Sequence, residues 1–113
     1  MTFLTSIDGG AGIVLQGAET VALVAECLAR FSKDGGVDAL YDLGVAFSTG
    51  GHGVTCDLIE AHKWFNIAAA RGHEEAAWCR ADVAEEMTAR EIAEAQRHAR
   101  EWLRLEAAER RAA

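Results

Sequence analysis

Residues 39–76 read ALYDLGVAFSTGGHGVTCDLIEAHKWFNIAAARGHEEA. In the first part of this stretch Leu40, Leu43, Gly44 and Phe47 recur at i, i+3, i+4 and i+7. That spacing puts them on one face of a helix, predicted over residues 38–49. Gly50-Gly51-His52-Gly53 then breaks it, since glycine adopts turn conformations at little steric cost. Asp57 with Glu60 three residues on is an Asp-x-x-Glu capping box that starts a second helix. Leu58, Ala61, Trp64, Phe65 and Ala68 form its buried stripe, and Arg71-Gly72 closes it. Two helices joined by so short a connection are expected to pack antiparallel.

Working outward, residues 18–33 carry Ala22, Ala25, Leu28 and Ala29 at helical spacing, widened by Val21, Val24 and Phe31. Asp34-Gly35-Gly36 ends that segment. Beyond Gly72, Glu74 and Glu75 suit the positive end of a helix reaching about Glu86. Thr88-x-x-Glu91 is a second capping box, opening a last helix to about Arg110. The face of that helix is Ile92, Ala95, Ala99, Trp102 and Leu103. The expected fold is all-α, about five antiparallel helices in a single domain over residues 18–111. Residues 1–17 hold two short β-prone runs, 3–7 and 13–16, around glycines. They are read as a flexible or loosely docked arm, because a lone hairpin is marginal in water.

Composition agrees. The chain has 113 residues, half of them apolar, and no proline. That length buries a modest core without metal or disulfide. The net charge is −7, and residues 1–70 hold three Lys/Arg against eight Asp/Glu. An acidic chain is a poor electrostatic match for DNA or RNA, so nucleic acid is not an expected ligand. The first residues lack the basic and apolar pattern of a signal peptide. No stretch reaches the roughly 20 apolar residues that span a bilayer, so no membrane role is expected. Three cysteines without a CxxC pair point to a reducing, cytoplasmic setting.

An internal repeat is visible. Gly35-x-x-x-Ala39 recurs as Gly72-x-x-x-Ala76, and Tyr41 recurs as Trp78, all at an offset of 37 residues. A fixed period of this size marks stacked helical hairpins, each burying its apolar face against a neighbour. Small residues at Gly44, Ala61, Ala68 and Ala69 let helix backbones approach, while Trp64 and Phe65 fill the space beside them.

The ordered set Ala39-Leu-Tyr-Asp-Leu-Gly44, Phe47-x-x-Gly50, Gly53-Val54-x-x-Asp57, Glu60-Ala61-x-x-Trp64 and Ala68-Ala69-x-x-Gly72 resembles the Sel-one-like repeat. That family is an αα-hairpin solenoid related to the tetratricopeptide repeat. Residues 39–76 carry one nearly complete copy, about a third of the chain, and the whole holds about two short repeats. The flanks depart from the pattern. Residues 18–35 lack the tryptophan of a second helix, and Arg80 stands where Leu43 stands in the better copy, as a capping repeat would have it. Gly50-Gly51-His52-Gly53 holds one residue more than the usual turn. The resemblance implies an adaptor that binds a protein or peptide, with no catalytic residues and no cofactor. It places the binding side on the first helix of each pair: Asp42, Val45 and Thr49, then Trp78, Cys79 and Asp82.

Catalytic and metal chemistry find little support. His52, His62, His73 and His98 with Cys27, Cys56 and Cys79 show no close-spaced ligand pair, so no metal site is expected. These histidines read as solvent-facing. Cys56 sits at a helix start, which lowers a thiol pKa, but Asp57 opposes that. The glycines at 50–53 lack the Lys-Ser/Thr of a phosphate loop. Trp102 lies on the apolar face of the last helix, either folded back on residues 76–86 or left as a dimer or partner surface. A binding module is therefore the leading expectation, followed by a structural homo-oligomer built from the last helix and the arm. A thiol-dependent enzyme comes third.

Overall fold

The computed structural model describes residues 10–112, and among these the chain is all-helical. The five helices are α1 (Gly10–Asp34), α2 (Asp38–Thr49), α3 (Leu58–Ala70), α4 (Glu74–Ala84) and α5 (Ala89–Ala112), with a 3₁₀ turn at Gly51–Gly53.

Helix boundaries follow local chemistry. The Gly35 amide donates to the Phe31 carbonyl at 2.7 Å, with Gly35 at φ 68°, and this ends α1. Gly50, at φ 77°, closes α2 by donating to the Ala46 carbonyl. The following turn has left-handed backbone at His52 (φ 58°) as well as at Gly53 (φ 77°). The Asp57 carboxylate accepts the Ile59 and Glu60 amides at 3.1 and 3.2 Å and caps α3. Glu60 does not complete that box. It accepts the Trp64 indole N–H at 3.2 Å and pairs with Lys63 at 2.9 Å. A buried indole N–H needs an acceptor, and that need outweighs the cap. At α5 the box is complete: the Thr88 amide donates to Glu91 at 2.9 Å, and the Glu91 amide donates to Thr88 Oγ1 at 3.1 Å.

Helix α3 is the centre of the molecule, packed against α2, α4 and α5. A helix with neighbours on three sides buries more than one stripe. Ala61, His62, Trp64, Phe65, Ile67 and Ala68 are all buried: four of the five expected residues plus His62 and Ile67, while the fifth, Leu58, is half-buried. They meet Leu40, Leu43, Ala46 and Phe47 of α2, Ala76 and Val83 of α4, Ala99 of α5 and Cys27 of α1 in one core. Gly44 is where α2 and α3 come closest. A Cβ there would lie 2.5 Å from Cδ1 of Phe65, so the ring occupies the space the glycine leaves.

Four expectations are corrected. Helix α1 begins at Gly10, so the run 13–16 is helical rather than β; the run 3–7 lies outside the described residues. The inner face of α1 is Leu23, Val24, Cys27, Leu28 and Phe31, whereas Val21, Ala22, Ala25 and Ala29 face solvent. Leucine, valine and phenylalanine displace the alanines from the core because they remove more apolar area from water, although Val21 stays 69% exposed. Helix α5 packs along α3 and not against its sequence neighbour α4. Its buried Ala95 and Ala99 permit a close approach there. Finally, His62 is buried, at 3% exposure, and is not solvent-facing.

Candidate interaction surface

The two helices that carry the expected binding residues, α2 and α4, are joined through Tyr41. Its ring stacks on the His73 imidazole, with centroids 4.4 Å apart, and tilts against Phe65 at 5.7 Å. Its hydroxyl shares a hydrogen bond with the Cys79 thiol at 3.8 Å. That bond, with burial and the nearby Glu75, pushes the Tyr41 hydroxyl up to about 12. His73 Nδ1 accepts the Ala76 amide at 3.0 Å and so caps α4. Its Nε2 faces the Asp38 carboxylate at 3.2 Å. This geometry assigns the proton to Nε2. The cap lay unmarked in the sequence because histidine is not among the usual capping residues.

Beside this seam, Trp78 projects from α4 at 75% exposure. The other tryptophans are covered: Trp64 is buried, and Trp102 lies edge-on to it at 5.7 Å and 6.1 Å from the Phe31 ring. Trp102 is therefore seated between α1 and α3, not on residues 76–86. One helical turn from Trp78 lie Glu74, Glu75 and Asp82, all exposed. The cation of α4, Arg80, is drawn to α3, where its Nη1 donates to Asn66 Oδ1 at 2.6 Å. Its charged end thus meets a polar partner on α3.

The remaining expected residues sit elsewhere. Asp42 pairs with Arg30 of α1 at 3.2 Å. Thr49 donates to the Val45 carbonyl at 2.9 Å and accepts the Gly51 amide at 3.2 Å, a local role at the end of α2. Asp42, Val45 and Thr49 line a groove of about 420 Å³ whose opposite wall is Leu23, Glu26, Cys27 and Arg30 of α1. Cys79 turns inward to Tyr41, which leaves Trp78 and Asp82 as the outward pair of α4. A larger cleft, about 600 Å³, separates the end of α1 from α5 and is lined by Phe31, Arg71, Trp102 and Leu105. Arg71 there pairs with Glu106 and lies over the Phe31 ring at 5.5 Å.

Cys56 is exposed, with its thiol 3.5 Å from the Ser48 carbonyl. Among the described residues no three His, Cys, Asp or Glu side chains converge as a metal site, and no helix is long and apolar enough to cross a membrane. The chain matches no family model, no curated protein and no solved structure with which it was compared.

Proposed function

We propose that this chain is a protein–protein interaction module of the Sel-one-like, αα-hairpin type. It holds a protein or peptide partner on the outward face of α4 and catalyses no reaction. The observation that carries this reading is Trp78, a large aromatic side chain left three-quarters exposed while the other tryptophans are packed. Exposed indoles of this kind serve as anchors at interfaces, where tryptophan is over-represented among the residues that dominate affinity. The recurrence of Tyr41 as Trp78 supports a repeat origin for the two helices. The three unpaired thiols, Cys27, Cys56 and Cys79, support an intracellular setting.

The test is capture from a lysate of the source cells by the wild type and by Trp78→Ala. So exposed a substitution shifts stability by about 0.5 kcal/mol or less, and the circular dichroism stays the same. The variant is expected to lose the partners that the wild type retains. Equal capture by both proteins would contradict the assignment of this face.

A further inference from the structure

We infer that the partner of the α4 face is a basic polypeptide segment, whose arginine or lysine side chains stack on Trp78 and pair with Glu74, Glu75 and Asp82. This rests on the reading of that face as a docking surface and adds the chemistry of what docks there. The three carboxylates lie at i−4, i−3 and i+4 from Trp78, so all of them border the indole. Among the described residues none of the three is within ion-pair distance of a lysine or arginine. Glu74 and Glu75 have a second role, because negative charge stabilises a helix N-terminus. Asp82 has no such role. It lies in the last turn of α4, ahead of Glu85 and Glu86, and no basic residue offsets it there. Negative charge at a helix C-terminus is unfavourable, so helix stability does not account for it.

The charge on this face decides between partners. Arg80, the cation that would neutralise it, is held by Asn66 on α3. Asp38, whose side chain is 88% exposed, adds a further carboxylate where α2 meets the start of α4. A second copy of the chain in a twofold contact would set this acidic patch against itself. Nucleic acid or an acidic peptide would be repelled. A guanidinium or ammonium group gains from both features at once, the face of the indole and the carboxylates around it.

The test uses the full chain and a short fluorescein-labelled arginine-rich peptide, with an analogue in which citrulline replaces each arginine. Fluorescence anisotropy is expected to show the arginine peptide binding at least about fivefold more tightly than the citrulline one, the preference falling with added salt. Trp78→Ala is expected to weaken binding roughly fivefold. The double variant Glu74→Gln/Asp82→Asn is expected to weaken it by about as much. Glu94→Gln/Glu101→Gln, the same change of net charge on α5, is expected to leave it unaltered. Equal binding of the citrulline peptide, still dependent on Trp78, would overturn the basic partner and leave the docking face standing. Equal weakening by the α5 variant would reduce the effect to overall charge and overturn the inference too. Absence of Trp78-dependent binding with either peptide would overturn the basic partner together with the docking face.

Discussion

His62 shows what a single side chain gives away in this fold. It is buried on the central helix, and among the described residues its Nδ1 has no hydrogen-bond partner. Burial, and then the positive charge of Arg80, lowers its pKa from the ordinary 6.5. The unfolded chain therefore takes up this proton at a higher pH than the folded chain. Between the two values the unfolded state binds more protons, so stability falls as the pH drops below about 6.5. Thermal melts of the wild type and His62→Leu from pH 7 to pH 5 measure the effect. The wild type is expected to lose up to about 1.4 kcal/mol per pH unit more than the variant. Parallel pH profiles would show that His62 costs nothing to protonate in place. At this scale the sequence was only partly readable. The apolar positions of α2 followed from spacing, but a histidine between Ala61 and Lys63 gives no sign that it will be buried.

Among elements, the contact between α2 and α3 is the most constrained. Phe65 lies where a Gly44 side chain would be, and both flanking stripes are buried. Gly44→Ala is expected to destabilise the protein by about 1–3 kcal/mol, because ring and backbone must shift in a close-packed core. Urea denaturation of Gly44→Ala, and of Gly44→Ala with Phe65→Leu, checks the cause: the smaller side chain should restore part of the loss. No loss in the single variant would mean the two helices are not in close contact at Gly44. This pair was legible in the sequence because spacing, breaker glycines and the Asp57 cap agree over residues 39–76. Helix α1 was less legible. Its alanines mark a helical period, yet alanine favours helix on either face, so the set that packs is Leu23, Val24, Cys27, Leu28 and Phe31. The direction of α5 was not legible. A capping box fixes where a helix starts and says nothing about which neighbour it lies along, and α5 follows α3.

Packing three helices around α3 covers Trp64 completely and Trp102 in part, and leaves α4 with an inner face at Ala76 and Val83 and an outer face at Trp78. The expected binding set was divided by this arrangement: α1 walls the groove beside Asp42, Val45 and Thr49, while Trp78 and Asp82 stay open. Fluorine NMR of the chain labelled with 5-fluorotryptophan tests the arrangement most directly, each signal assigned by a single Trp→Phe variant. On exchange from H₂O to D₂O, a large solvent-isotope shift is expected at Trp78, a smaller one at Trp102 and almost none at Trp64. A shielded Trp78 beside a solvent-exposed Trp64 would contradict the central place of α3 and the free face of α4 alike.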